Sequence, residues 1–246
     1  MDDRTNNLSQ WTLVTGGAKG LGAEICKTLA RQGHNILIHY RSSYKEALLI
    51  KDLCCGYGVK ADLIQGDFSS MEQVNEFILI LQKRFPHSID KLVNNVGNYC
   101  VSLPLETADA EWLALFQTNL HAPVALMRAL MPVLVSLHGS IINIGVAGIN
   151  HVPSDVYSTA YTASKLALWM TSKALAKEFA PQGVRVNMVS PGLLENTVEG
   201  NSIIKFVPMQ RLGSLKEAAS VVAFLLDDEN SYITGQNIEV GGGIRL

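Results

Sequence analysis

The chain has 246 residues, 48% of them hydrophobic and 17% charged, with a formal net charge of −2. That composition builds a globular core without staples, excludes a disordered protein, and gives no electrostatic hold on nucleic acid or an anionic membrane. No apolar run approaches the ~20 residues of a membrane span, the polar first ten residues lack a secretory pattern, and Cys26, Cys54, Cys55 and Cys100 have no metal-like spacing with histidine, as expected of reduced thiols in a cytoplasm.

Residues 11–15 are apolar and run into glycines, which predicts a buried strand. A helix over 21–31 follows, with Leu21, Ile25 and Leu29 on one face and Gly33 as its stop. The rhythm continues with strand 35–40, helix 44–53, strand 59–65, helix 71–85 closed by Pro86, and strand 91–96. The second half predicts a long helix over 108–135 with Pro123 inside it, strand 140–145, helix 159–179, strand 184–189, helix 215–226 and a short strand 237–240. Strands alternating with helices imply right-handed βαβ units and a parallel sheet covered on both faces. The expectation is one α/β domain over 1–246, a Rossmann fold with about seven parallel strands.

The stretch Thr15-Gly16-Gly17-Ala18-Lys19-Gly20-Leu21-Gly22 links the first strand to the first helix. Gly16 permits a tight turn, Gly20 lets the backbone approach a pyrophosphate, and Gly22 allows close helix–strand packing at a helix N-terminus that favours anions. A dinucleotide fits this loop. An NAD site usually carries an acidic residue at the end of the second strand. Here that end reads His39-Tyr40-Arg41-Ser42-Ser43, and Arg41, helped by Ser42 and Lys19, suits the 2′-phosphate of NADP(H).

Asn94-Asn95-Val96-Gly97 after the fourth strand, Tyr161-Thr162-Ala163-Ser164-Lys165 opening a helix and Pro191-Gly192 after the sixth strand join the glycine loop. Together these motifs resemble the short-chain dehydrogenase/reductase family over residues 12–243. Within it the chain is most similar to NADPH-dependent 3-oxoacyl-[acyl-carrier-protein] reductases of fatty acid biosynthesis. Tyr40–Ser43 and Gly66-Asp67-Phe68-Ser69 also resemble pteridine reductases. The resemblance implies Asp67 beside the adenine and Asn95 and Gly97 along the ribose side. It implies Tyr161 as general acid, Lys165 on the nicotinamide ribose and Asn119 completing a proton relay. Pro191, Gly192 and Leu194 would pass the nicotinamide, followed by a substrate loop over 193–206. It further implies a homotetramer on the two long helices.

The chemistry of that pair can be argued directly. A free phenol has a pKa near 10, and Lys165 four residues on shares its helix face and favours phenolate. Pro123 cannot bond the carbonyl of Asn119, which leaves it for a water or marks a packing kink. Trp112, Phe116, Leu168 and Trp169 offer apolar surface for a partner or for the core.

One family feature is missing. Where a catalytic serine is usual the chain reads Asn143-Ile144-Gly145-Val146-Ala147-Gly148, one residue short, with Gly145 at the serine position. Losing such a donor costs about 10²–10³ in rate. The loop before Tyr161 holds His151, Ser154, Asp155 and Ser158, and Asp155 is the candidate replacement. Asn196 and Thr197 are further candidates for the nicotinamide or the phosphates. The leading expectation is reduction of a small-molecule carbonyl or an acyl thioester. The alternatives are C=N reduction of a pteridine and a non-catalytic NADP(H)-binding sensor.

Overall fold

The computed structural model describes residues 10–151, 154–197 and 200–245. The rest of the polar N-terminal stretch and positions 198–199 of the predicted substrate loop lie outside the described residues. Seven strands form one sheet: β1 (Trp11–Val14), β2 (Asn35–Tyr40), β3 (Ala61–Gln65), β4 (Ile89–Asn94), β5 (Ser140–Ile144), β6 (Arg185–Pro191) and β7 (Asn237–Val240). Their order is β3-β2-β1-β4-β5-β6-β7 and every pairing is parallel. The order reverses between β1 and β4. In such sheets ligands bind at that switch point, beyond the carboxyl ends of the strands.

The strands are apolar on both faces because both faces are covered. Leu13, Leu37, Leu92 and Ile141 point into one core, built with α3 (Met71–Arg84), α5 (Ala122–Leu137) and α6 (Thr159–Phe179). Their neighbours Val14, Ile38, Val93 and Ile142 feed the opposite core, under α1 (Gly20–Arg31), α2 (Tyr44–Gly56) and α7 (Leu215–Leu226). The one-residue alternation within each strand thus builds two cores from one sheet.

The predicted single helix over 108–135 is divided. It comprises the short helix α4 (Asp109–Phe116), a π-helical turn at Gln117–His121, and α5. Pro123 has no N–H to continue the regular ladder, and the turn ahead of it widens so that the Ala122 N–H reaches Gln117 O, five residues back. Joined in this way, Asp109–Leu137 is long and apolar enough by length and composition to cross a bilayer, although no single apolar run announces it. In the fold, Leu126, Leu130 and Leu134 of this stretch are buried in the core. Leu168 and Trp169 also belong to the core, and the large apolar side chains these helices expose are instead Leu113 and Met170.

A chain of buried side chains fixes α6 against the sheet. Asn94 Nδ2 donates to Asn143 Oδ1 at 2.8 Å, and Asn143 Nδ2 donates to Ser172 Oγ at 2.8 Å. Ser172 passes its own proton to the Leu168 carbonyl. Asn143 and Ser172 are fully enclosed. Replacing Asn143 by alanine would strand partners on two elements. We expect Asn143→Ala to lower the unfolding free energy by ~2–4 kcal/mol, measured by urea denaturation. A change below ~0.5 kcal/mol, the scale of an ordinary surface substitution, would contradict this role.

Candidate active site

The β1–α1 loop is held from behind. Thr15 Oγ1 accepts from the backbone N–H of Asn95 and Val96 at 2.8 and 3.1 Å, while Asn95 Nδ2 donates to Thr15 O at 2.9 Å. The Asn95 amide, expected along the ribose, is therefore a clamp on the glycine loop. Gly16 and Gly20 have φ of +64° and +53°. A Cβ on Gly22 would collide with the Gly16 carbonyl. No side chain caps the N-terminus of α1, whereas Ser70 and Ser214 cap α3 and α7. The first amides of α1, with half-buried Leu21 on their turn, are left for an anion. Asn196 reaches across from the loop after β6, its Nδ2 at 3.1 Å from the place a Gly20 Cβ would take.

His39 completes this cradle, and sequence reasoning gave it no role. Its Nδ1 accepts from the Gly16 N–H at 3.0 Å, so Nε2 carries the proton toward Gly66 O at 3.1 Å. The ring stacks on Phe68, with centroids 4.3 Å apart. Burial drives its pKa down to about 4. It is a neutral bridge between the glycine loop and the β3 exit.

Arg41 and Ser42 are exposed beyond β2 and share an open depression of about 710 Å³ with Gly66 and Asp67. The Asp67 carboxylate caps its own turn through the Ser69 N–H at 2.9 Å. Lys19 is paired with Glu46 on the first turn of α2 at 2.8 Å. This carboxylate is brought near the loop by the fold alone.

Tyr161 and Lys165 lie on α6, and Lys165 Nζ is 5.9 Å from the Tyr161 ring centre. Lys165 is buried and donates to Ile144 O at 2.8 Å. Burial pushes its pKa down to about 8. Burial also pushes the Tyr161 phenol up, to about 12, with the nearby Tyr99 adding to the rise. The expectation that the lysine lowers the phenol is thus not met in this state: burial sets the direction of the shift, and the ammonium is turned to a carbonyl. Asn119 sits in the π turn, fully buried. Its Oδ1 accepts from Asn98 N at 2.8 Å, and its Nδ2 donates to Asn98 O and Ser164 Oγ, each at 3.0 Å. Gly97 lies where these groups converge, and a Cβ there would be 3.2 Å from both Asn119 Oδ1 and Lys165 Nζ.

Beside Tyr161 opens a cavity of about 410 Å³, lined among others by Tyr99, Val146, Ser158, Pro191, Gly192 and Leu194. Tyr99 stands edge-on to Tyr161 at 4.9 Å. Gly145 lines it too, and a side chain there would need Ser190 and Met188 to give way. A Cβ there would strike Ser190 Oγ on the adjacent strand.

Asp155 does not replace the missing serine. Burial works to raise its carboxyl, but hydrogen bonds from Thr162 and Ser158 and the charge of Arg245 prevail and hold it below the usual range. It is an acceptor with no proton to give. Its Oδ2 takes Thr162 Oγ1 at 2.7 Å, Ser158 Oγ at 3.0 Å and Arg245 Nη2 at 3.2 Å. It lines a neighbouring depression with His151 and Ser154, not the cavity beside Tyr161. Arg245, which no motif marked, lines both.

Residues 16–245 match a family profile described as enoyl-(acyl carrier protein) reductase. The chain is 35% identical over 242 residues to the 3-oxoacyl-[acyl-carrier-protein] reductase FabG of Escherichia coli K12, covering 95% of this chain and 96% of the relative. It is 32% identical over 244 residues to the uncharacterized oxidoreductase YmfI of Bacillus subtilis, covering 96% and 99%. Among solved structures it resembles a blue fluorescent protein from a metagenomic library in complex with NADPH (TM-score 0.87, 27% identity, covering 96% and 98%). It likewise resembles the acetoin dehydrogenase YohF of Salmonella typhimurium (TM-score 0.87, 28% identity, covering 96% of each).

The neutral His39 has a pH consequence. An unfolded chain protonates this ring below its ordinary value of 6.5, and the folded chain only near 4. Protons therefore favour the unfolded state, and the stability His39 confers is lost as pH falls through that window. The stability difference between wild type and His39→Gln, followed by urea denaturation from neutral pH to that lower limit, should shrink as the pH drops. A difference that stays constant would rule out a neutral buried ring.

Proposed function

Because the chain belongs to the short-chain dehydrogenase/reductase family, we propose that it is an NADP(H)-dependent oxidoreductase that reduces a carbonyl group, with a 3-oxoacyl thioester as substrate. The observation that carries this reading is the convergence of Tyr161, Lys165, Gly97 and Asn119 beside a cavity that is continuous with the β6 exit at Pro191 and Gly192. The residues present fit the dinucleotide. The glycine cradle admits no Cβ at Gly22, and the α1 amides are uncapped. Gly16, Gly20 and Leu21 would hold the pyrophosphate, Asp67 the adenine side, and Gly97, Pro191 and Leu194 the nicotinamide side. When bound, NADPH supplies a hydride to the carbonyl carbon.

The chain's own residues supply the proton. A phenol held at about 12 is fully protonated at neutral pH, so Tyr161 enters the reaction as an acid and gives its O–H proton to the carbonyl oxygen. Lys165 is the buried cation that steadies the phenolate left behind. Asn119 holds the 97–98 segment against α6 through Asn98 and Ser164. The Glu46 carboxylate is already neutralised by Lys19, which leaves Arg41 as the group for a 2′-phosphate.

The same reading places the protein in the cytoplasm as a homotetramer. A largely apolar cavity of about 580 Å³ between α5 and α6, lined by Val124, Met131, Pro132, Val135, Leu175 and Phe179 together with Arg128, Thr171 and Glu178, supports a partner helix there.

NADPH oxidation with acetoacetyl thioester, a quinone and dihydrobiopterin tests the substrate class. Turnover of the pterin alone would replace the carbonyl reading. Tyr161→Phe should lower turnover by at least ~10²-fold while NADPH fluorescence titration gives nearly the wild-type affinity. Full turnover in that variant would remove Tyr161 as the acid. Arg41→Ala should weaken NADPH by ~10–100-fold and leave NADH nearly unaffected. Equal losses would take Arg41 out of the phosphate site.

A further inference from the structure

Among the described residues that line the cavity beside Tyr161, Arg245 is the only formally charged side chain. Hydride transfer to a carbonyl does not by itself require a cation there. The way Arg245 is delivered shows a built feature. After β7 the backbone turns through Gly242 and Gly243, at φ of +60° and +86°, and Arg245 itself lies at +61°. A non-glycine residue holds that conformation only when its surroundings impose it. Ile244 Cγ2 rests against Gly192, 2.9 Å from where a Cβ would be. The Arg245 stem lies over Gly148, its Cβ and Cδ each 2.8 Å from the Cβ position. A side chain at either glycine would push this turn out of the cavity.

The head of Arg245 is aimed by Asp155. One guanidinium nitrogen donates to Asp155 Oδ2 at 3.2 Å. Asp155 is fixed in turn by Ser158 and Thr162 at the start of α6, three and seven residues along the chain. An arginine has five N–H donors, and this side chain is 38% exposed, so donors remain for the cavity. Ser158 Oγ, another polar group lining the cavity, already gives its proton to Asp155. Arg245 counters the burial-driven rise of the Tyr161 phenol, which places its charge within electrostatic reach of that oxygen.

Two further facts narrow what Arg245 would bind. Asp155 and Arg245 together carry no net charge, so a full carboxylate at the guanidinium would also feel the Asp155 charge, whereas a neutral oxygen acceptor would not be repelled by it. The cavity wall also carries an apolar stretch, with Ile144, Val146, Ala147, Leu193 and Ile244 offering room for a hydrocarbon chain.

We infer that Arg245 orients the substrate by hydrogen-bonding a second, uncharged oxygen, the thioester, ester or amide carbonyl of a 3-oxoacyl compound, while Tyr161 takes the carbonyl that is reduced. This rests on the carbonyl-reductase reading above. It gives the site a two-oxygen recognition rule in place of the absent serine. It also makes Arg245 a specificity residue, expressed in KM.

The test compares wild type, Arg245→Gln and Arg245→Lys on three substrates: the N-acetylcysteamine thioester of acetoacetate, acetoacetate itself, and 2-pentanone, which has one oxygen. Arg245→Gln should raise KM for the thioester by about 10–100-fold with little change in kcat. It should leave 2-pentanone reduction and NADPH affinity unchanged. Arg245→Lys, which keeps the stem and one cation, should recover part of the loss and serves as the readout if the glutamine variant is shown by thermal unfolding not to fold. Equal losses on thioester and 2-pentanone, or no loss on either, would overturn the proposal. So would a larger loss on acetoacetate, since that would mean recognition of an anion. If the wild type reduces none of the three, the carbonyl-reductase reading fails on its own. Calorimetric binding of the thioester then decides Arg245 separately: weaker binding in Arg245→Gln supports the role, and equal binding overturns it.

Discussion

The chemistry of this protein depends on where α6 lies against the sheet. Tyr161 and Lys165 sit on that helix, and the groups they must meet sit on strand exits. Two buried amide-to-hydroxyl contacts set the distance: Asn143 to Ser172 at the sheet, and Asn119 to Ser164 near the strand exits. Apolar packing alone would let a helix slide along a sheet with little penalty. Enclosed hydrogen bonds do not, because a shift leaves a buried donor unpaired. Leu168 and Trp169 add bulk to the same face of the helix. The result is a phenol and an ammonium held in a desolvated place, and desolvation drives their pKa values apart, the phenol up to about 12 and the ammonium down to about 8.

The same logic runs through the cofactor side. The glycine loop owes its shape to bonds from behind it, by Thr15, Asn95 and the neutral His39. None of these groups needs to touch a ligand. They spend their polarity on the backbone, which leaves the α1 amides pointing outward and uncapped. Preorganisation of this kind means an anion meets donors already aligned.

The cavity shows how neighbouring strands constrain a site. Gly145, just past the end of β5, stands beside Ser190 of β6, and the Ser190 hydroxyl, bonded to Asn237, occupies the room a side chain at 145 would need. Polar side chains of the cavity stand on its other wall. There Asp155, ionised and saturated with donors, organises Ser158 and Arg245.

The sequence alone determined the fold class, the strand order's starting motif and the candidate phenol–ammonium pair. These follow from local rules: glycine spacing between a strand and a helix, apolar runs of strand length, and i, i+4 spacing on one helix. It also located the break at Gly145 and the interruption at Pro123, because a missing side chain and a missing N–H are visible in one dimension. What only the tertiary structure decided are the contacts that join distant segments. His39 met Gly16 and Gly66, Glu46 met Lys19, and Arg245 met Asp155 across 90 positions of chain. Asp155 looked like a donor in the sequence and is an acceptor in the fold, since the protonation state of a carboxyl depends on which groups surround it. Sequence carries side-chain chemistry and short-range spacing; long-range proximity and desolvation, which set charge and direction, exist only once the chain has folded.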